Sequence, residues 1–316
     1  MIVRQGAPFI KTERNLTYIS AIRLLSLLPV IVAAVVFYGL RALILIAFCS
    51  VMFFAFDEFC TAIKHVHQPR DMSSFFNGAL IALMLPPDTP LYIAFTGVLF
   101  GSVIVRQLSG GRGSEFICPA AGGRIFIRII FPMNETSFAF PTEDRFALRS
   151  LIFGSQGFEG VDIKSFHLFE LVVGKYPSFI GMSCALLITA GMIYMIVKKA
   201  YRFYVPLAYT VSLVILLIIK DSVYHTDNAL VYILTSGVLF QVAYLLSDES
   251  SFLAFGPMAI LEAVMCAALS FLMSFKTNGI DVVLVPYILT AVLTGVIKYA
   301  GTIMKAYTED KLRAES

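Results

Sequence analysis

The chain has 316 residues, of which 58% are hydrophobic and only 14% are charged, and its mean hydropathy is +0.83. Soluble domains carry about 25% charged residues, so these values exclude an ordinary soluble enzyme. The 28 Phe and 14 Tyr also exclude a disordered chain, and a net charge of +3 gives no reason to expect nucleic-acid binding. The remaining class is a helical membrane protein that crosses the lipid bilayer several times.

Five apolar segments are predicted in residues 1–132, and we interpret this range as the first membrane repeat. The segments are 19–38, 40–63, 75–85, 91–105 and 118–131. The third is followed by Pro86-Pro87-Asp88 and has too few residues for a full span, since eleven residues rise only about 16 Å in a helix. It is therefore predicted to be a half-helix.

A polar loop over 133–176 separates this repeat from a second one over 177–316. The apolar segments of the second repeat are 179–197, 204–219, 229–246, 253–273 and 280–300. Residues 77–83 resemble residues 236–242, at an offset of about half the chain. An odd number of spans per repeat inverts the second repeat relative to the first. The predicted fold is therefore an all-α polytopic membrane protein of about ten segments, in two inverted five-helix repeats with broken half-helices.

The distribution of Lys and Arg predicts the orientation of these segments. With the N-terminus in the cytoplasm, most loop Lys and Arg residues fall on the cytoplasmic side, as the positive-inside rule requires. Both termini are then cytoplasmic, and the 133–176 loop lies outside. We expect the protein to lie in the inner (cytoplasmic) membrane.

Several polar side chains fall inside or beside the apolar segments, where a charge costs at least about 2.5 kcal/mol. Arg124 and Glu262 lie within apolar runs, while Asp88 and Asp248 follow the two related half-helices. We predict an ion path along Asn77, Asp88, Asp248 and Glu262. The alternative is that charges near helix ends reach the headgroup region.

Other chemistry has little support in the sequence. The five cysteines are spread out, with no two closer than eleven residues, so no metal or iron–sulfur site is predicted. Asp57-Glu58 lies near the end of the second span, where it is either an ion or partner contact or a solvated helix end. With no nucleophile elbow, metal motif or phosphate loop, no catalytic residue is predicted.

Two sequence blocks resemble one protein family. Residues 77–91 read NGALIALMLPPDTPL and are similar to the family pattern TGxLLALxLPPxxPLW. Residues 110–120 read GGRGSEFICPA and are similar to GGLGxNxFNPA, and residues 39–43 read GLRAL, as in the family. The chain therefore resembles the NqrB/RnfD family, whose members are membrane subunits of the sodium-pumping NADH:quinone oxidoreductase and of the Rnf electron-transport complex.

That resemblance implies a membrane subunit of an ion-translocating oxidoreductase, rather than a self-sufficient enzyme. The family passes electrons between flavins and couples this to Na+ or H+ movement. The implied partners are other Rnf-type membrane subunits and flavin and iron–sulfur subunits.

The family also carries FMN esterified to a threonine in the outer loop, in a motif like VDxxSGATP. Here residues 161–169 read VDIKSFHLF, so Leu168 occupies the threonine position and cannot form a phosphoester. We expect no covalent FMN. A non-covalent FMN or riboflavin is a candidate ligand of Gly110, Gly111, Gly113 and Arg124, although the glycines are equally suited to a tight turn.

A second hypothesis is a stand-alone channel or transporter on the same architecture, which is similar to that of urea transporters. Such a pore needs a continuous polar file along the repeat axis. The sequence offers only a few candidates for that file: Asn77, Ser236 and Gln241.

Overall fold

The structure is a computed structural model that describes residues 16–64, 72–111, 115, 117–132, 172–174, 178–200, 203–224, 229–246, 257–275 and 282–296. All secondary structure in these ranges is helical. The helices are α1 (Leu16–Tyr38), α2 (Leu40–Lys64), α3 (Ser73–Leu83), α4 (Leu91–Leu99) with a π-helix (Phe100–Gln107) that continues it, α5 (Pro119–Ile130), α6 (Ala185–Val197), α7 (Tyr204–Tyr224), α8 (Ala229–Thr235), α9 (Val238–Tyr244), α10 (Pro257–Met273) and α11 (Val282–Val296).

Three of the described helices, α1, α2 and α7, are long and apolar enough to cross a membrane. The remaining apolar helices are shorter, and they include α3, α6, α10 and α11. Large hydrophobic side chains such as Val32, Leu40 and Ile215 are more than half exposed on the outside of the bundle. An apolar surface of this kind suits lipid, so the predicted all-helical membrane protein is confirmed. The number of spans and the inverted repeat remain predictions.

Contacts between the ends of the described helices define two opposite sides of the molecule, which we call layers. The Asp88 layer contains Tyr38, Arg41, Asp88 and Ser178. The Arg41 Nη2 atom donates to the Asp88 carbonyl oxygen at 2.9 Å, and the Tyr38 hydroxyl donates to the Ser178 carbonyl oxygen at 3.1 Å. The end of α1, the turn after α3 and the chain before α6 therefore lie on one side.

The opposite layer contains the end of α2, the start of α3 and the end of the π-helix. There the Lys64 ammonium donates to the Gln107 carbonyl oxygen at 2.5 Å. Because α2 begins in the Asp88 layer and ends in this one, successive elements cross the molecule in alternating directions.

Two interruptions of the helices lie at the centre of the molecule. The half-helix predicted over 75–85 is confirmed as α3. The segment 229–246 was predicted as one span but forms two helices, α8 and α9. They are separated at Gly237, whose φ of 71° few other residues adopt. A Cβ atom on Gly237 would lie 2.1 Å from the Met182 sulfur.

The chain before α6 joins the end of α3 through main-chain hydrogen bonds. The amide of Ile180 donates to the Leu85 carbonyl at 3.2 Å, and that of Gly181 donates to the Leu83 carbonyl at 2.8 Å. Gly181 is required here, because a Cβ atom would lie 2.7 Å from the Leu83 Cβ. These non-helical segments are buried in protein, the only place where the membrane interior tolerates them.

Glycines allow α4 and its π-helix to cross α5 closely. A Cβ atom on Gly123 would lie 2.5 Å from the Gly97 carbonyl oxygen, and one on Gly101 would lie 2.7 Å from the Pro119 carbonyl oxygen. Gly97 and Gly101 are four residues apart, the spacing of small residues at which membrane helices approach each other. These close contacts position the π-helix relative to α5.

Helix α6 ends at a lysine in the left-handed conformation. Lys199 has a φ of 54°, its amide donates to the Ile196 carbonyl at 2.9 Å, and the Ala200 amide donates to the Met195 carbonyl at 3.1 Å. This is the helix-ending motif in which glycine usually occupies the left-handed position.

Lys199→Gly should therefore stabilise the folded chain by about 1 kcal/mol, because glycine lacks the Cβ atom that strains this conformation. The measurement is thermal unfolding of the detergent-purified chain. Lys198→Gly is the matched control, since Lys198 has an ordinary φ of −77°. If both variants were stabilised equally, the left-handed strain at Lys199 would not be the cause.

Candidate functional site

A buried group of charged and polar side chains lies at the layer opposite Asp88. At its centre the Asp57 carboxylate, on α2, is 0% exposed, and the Arg106 guanidinium, on the π-helix, is 2% exposed. Arg106 Nη1 lies 3.3 Å from Asp57 Oδ2, and the Ser74 hydroxyl donates to the same oxygen at 2.5 Å. Asp57 is therefore not the solvated helix end that the sequence allowed as one interpretation.

Four further side chains complete this group. Gln107 Nε2 donates to Asp57 Oδ1, and Arg106 Nη2 donates to the Ser73 hydroxyl. Arg106 Nε lies 2.8 Å from Glu115 Oε1. The two groups form an ion pair, but they are not aligned as a hydrogen bond requires. The Lys64 ammonium lies 3.3 Å from the Gln107 side-chain oxygen. We call these residues the Asp57 cluster: Asp57, Lys64, Ser73, Ser74, Arg106, Gln107 and Glu115.

The π-helix explains how two adjacent residues both face the cluster. Its wider turns carry i→i+5 hydrogen bonds, such as the one from the Leu108 amide to the Val103 carbonyl at 3.2 Å. Both Arg106 and Gln107 are buried, and the Arg106 guanidinium also lies over the Phe53 ring, 5.7 Å from its centroid. The π-helix is a distortion that recurs at functional sites.

The chemistry of the Asp57 cluster follows from its charges. Two carboxylates, Asp57 and Glu115, flank the Arg106 guanidinium, and the Lys64 ammonium adds a second positive charge, so the charges of the cluster balance. The Glu115 side chain is 11% exposed, whereas the Asp57 side chain is fully buried. Glu115 is therefore the more accessible of the two carboxylates.

The residues predicted for the ion path lie in separate places. Asn77 is on α3, where its amide donates to the Ser73 carbonyl at 3.1 Å and its side-chain oxygen lies 3.7 Å from the Cys118 sulfur. Asp88 forms an ion pair with Arg41 at 3.3 Å in the Asp88 layer, and Glu262 is buried on α10. Asn77 and Asp88 thus contact different neighbours on different elements. Asp248 lies outside the described ranges.

Three of the predicted cofactor residues, Arg124, Gly110 and Gly111, lie in the described ranges. Arg124 is fully buried on α5, where its Nε donates to the Met84 carbonyl at 2.9 Å and its guanidinium lies 5.6 Å from the centroid of the Phe179 ring. Gly110 and Gly111 follow the π-helix with φ values of 112° and 94°. Gly113 and Leu168 lie outside the described residues.

In the sequence, Asp57 and Arg106 stand near the ends of the apolar segments 40–63 and 91–105. A charged side chain at membrane depth is costly unless it has a partner. This cost indicates that Asp57 and Arg106 are each paired, but it does not indicate with which residue. Their pairing was not visible, since they are separated by the whole of α3 and α4. Among the described residues no group of three or more His, Cys, Asp or Glu side chains is placed to hold a metal ion.

Comparison with known proteins assigns the chain to a family. Residues 3–305 match the model of the NQR2, RnfD, RnfE family. The chain is 27% identical over 270 residues to the D subunit of the Na+-translocating ferredoxin:NAD+ oxidoreductase complex of Acetobacterium woodii, covering 84% of this chain and 82% of that protein. It is 24% identical over 247 residues to the D subunit of the ion-translocating oxidoreductase complex of Escherichia coli O7:K1, covering 66% and 70% of the two chains. With a match across nearly its whole length, this chain belongs to the NQR2, RnfD, RnfE family.

Proposed function

We propose that the chain is a membrane subunit of an Rnf-type ion-translocating oxidoreductase that couples flavin-mediated electron transport to Na+ or H+ movement. The family match over residues 3–305 carries this proposal, and relatives that match most of the chain are named as subunits of such complexes. Other Rnf-type membrane, flavin and iron–sulfur subunits are the corresponding partners. We place the chain in the inner membrane with both termini in the cytoplasm.

The packing of the described helices supports two inverted five-helix repeats. If α1 corresponds to α6, α2 to α7, α3 to α9 and α4 to α10, two of the packing pairs also correspond. Helix α1 packs on α3 as α6 packs on α9, and α2 packs on α4 as α7 packs on α10. Helix α1 also packs directly on α6, as expected for elements that a two-fold axis relates.

In this orientation the Asp57 cluster faces the cytoplasm and the Arg41–Asp88 pair faces outside. The cluster then lies where cytoplasmic subunits and ions reach the membrane domain. We assign two roles to the cluster. It holds the end of α2, the start of α3 and the end of the π-helix together, and its partly exposed Glu115 carboxylate contacts cations on the cytoplasmic side.

The proposal excludes the covalent FMN of the family, because Leu168 has no hydroxyl group to esterify. A non-covalent FMN or riboflavin is the remaining candidate. Gly110 has no Cβ atom and is exposed, which permits close approach of a planar group or phosphate, but the Gly111 amide already donates to the Arg106 carbonyl at 3.1 Å. Any such flavin therefore requires residues beyond these two glycines.

The central packing disfavours the stand-alone transporter. Leu80, Ile81, Leu85 and Phe240 are fully buried around the helix interruptions. The three candidates for a polar file, Asn77, Ser236 and Gln241, are buried in the same region, with these large apolar side chains close to them along the chain.

The test is a mild-detergent pull-down of the tagged chain from its own host, followed by identification of the co-purifying proteins and by flavin spectroscopy. We expect other Rnf subunits and flavin absorbance in the native eluate. After denaturation the band of this chain should show no flavin fluorescence, because no ester holds a flavin to Leu168.

Two outcomes would contradict the proposal. A chain that purifies alone and without flavin would favour the transporter. Flavin that stays on the denatured chain would show that another residue takes the role of the esterified threonine. A flavinylated subunit of the same eluate serves as the positive control for the fluorescence measurement.

A further inference from the structure

An apolar groove opens on the lipid-facing side of the second half of the chain, between α6, α7 and α9. Its volume is about 210 Å³. The main lining side chains are Ile188, Met192, Ile196, Phe203, Leu207 and Leu239. Phe203 and Leu207 are 57% and 56% exposed, so the groove is open to whatever surrounds the helices.

The groove is suited to hydrocarbon. Its hydroxyl-bearing lining residues are Thr189 and Thr210. The Thr189 hydroxyl donates to the Leu186 carbonyl at 2.9 Å, and the Thr210 hydroxyl donates to the Pro206 carbonyl at 3.0 Å. Because both hydroxyls are bonded within their own helices, they do not favour a polar occupant.

The charge at one end of the groove identifies the class of occupant. From Ile188 to Ile196 the groove follows α6 for about 12 Å, and α6 ends immediately afterwards at Lys198 and Lys199. Both lysines are exposed, and both lie at a helix C-terminus, where the dipole favours cations. Lys199 also occupies a left-handed position in which glycine is the usual and less strained residue.

We propose that this groove binds an acyl chain of an anionic phospholipid, whose phosphate is held by Lys198 and Lys199. The assignment of these lysines to the anionic cytoplasmic leaflet rests on the orientation given under the proposed function. The sequence proximity of the two exposed lysines to Ile196, the last residue of α6 in the groove lining, does not depend on that orientation. An acyl chain leaves no buried polar group unsatisfied, and the lysines select the headgroup by charge.

The experiment is native mass spectrometry of the detergent-purified full chain, titrated with dioleoylphosphatidylglycerol or with zwitterionic dioleoylphosphatidylcholine. We expect tighter binding of phosphatidylglycerol. Lys198→Gln/Lys199→Gln should weaken it by about fivefold per lysine, the effect of one basic residue near an anionic lipid surface. Lys198→Arg/Lys199→Arg preserves both charges and should bind like the original chain.

The groove itself is tested with a matched pair on α6. Thr189→Phe fills the groove and should weaken binding of both lipids, whereas Leu186→Phe introduces the same side chain at an exposed position outside the lining and should not. Equal affinity for the two lipids, an unchanged affinity in the glutamine variant, or identical behaviour of the two phenylalanine variants would each overturn the proposal.

A protein helix as the true occupant gives a different result. In that case Thr189→Phe would remove a partner protein from the pull-down while lipid binding stayed the same, which also overturns the lipid assignment. Lipid binding to the isolated chain does not depend on flavin or on partner subunits. Failure of this proposal is therefore distinguishable from failure of the proposed function.

Discussion

Arg106→Met should destabilise the folded chain by about 3–5 kcal/mol, the usual effect of removing one partner from a buried ion pair. The substitution keeps an unbranched apolar side chain of similar length but leaves the Asp57 and Glu115 carboxylates facing each other across the vacated position. The measurement is unfolding of the detergent-purified chain, followed by circular dichroism during heating and during titration with sodium dodecyl sulfate.

Asp57→Asn is the informative comparison. The asparagine oxygen still accepts the Ser74 hydroxyl and Arg106 keeps its ion pair with Glu115, whereas the hydrogen bond from Gln107 Nε2 is lost, so the expected loss is about 1–2 kcal/mol. The double variant should lose less than the sum of the single variants, since residues in one network are coupled by about 0.5–3 kcal/mol. Equal losses in the two single variants would contradict the charge arrangement of the Asp57 cluster.

Gly78→Ala should have the second large effect, a loss of about 3 kcal/mol or more, through overpacking against main-chain atoms. A Cβ atom on Gly78 would lie 2.6 Å from both the Cys49 carbonyl oxygen and the Ser50 Cα atom of α2. Helices α2 and α3 would have to separate, which would also move the Asp57 cluster that joins them. Thermal unfolding and the yield of monodisperse protein both report this loss.

Gly122→Ala provides a control in which the obstacle is a side chain. Its Cβ atom would lie 2.5 Å from Cγ2 and 3.3 Å from Cγ1 of Val105, both of which are absent in Val105→Ala. The Gly122→Ala/Val105→Ala double variant should recover most of the lost stability. No side-chain truncation at Cys49 should rescue Gly78→Ala, and such a rescue would show that the close approach of α2 and α3 is not the cause.

Much of the fold could be predicted from hydropathy, because the membrane class depends on segment length and apolar content alone. The half-helix before Pro86 was predictable, since two prolines end an apolar run that is too short to span. The break between α8 and α9 was missed, because Ser236 and Gly237 interrupt a run that is otherwise apolar. The π-helix has no compositional signature and follows from how α4 packs on α5.

The candidate site was less predictable, because it depends on pairing across the fold. Asp57 and Arg106 were each noticed near the end of an apolar run, but their contact requires α2, α3 and the π-helix to be in place. For Arg124 the sequence indicates a buried charge but not its main-chain partner. It was selected as an isolated charge at membrane depth, and the structure places its Nε against the Met84 carbonyl freed by the end of α3.

The two main-chain hydrogen bonds between residues 83–85 and 180–181 also bear on how the molecule deforms. They join the part of the chain before residue 133 to the part after it, at the point where both are non-helical. A rocking motion between these parts would break both bonds in a medium without water, where each unsatisfied group costs several kcal/mol. The two hydrogen bonds therefore hold these two parts of the chain together at this point and oppose such a motion.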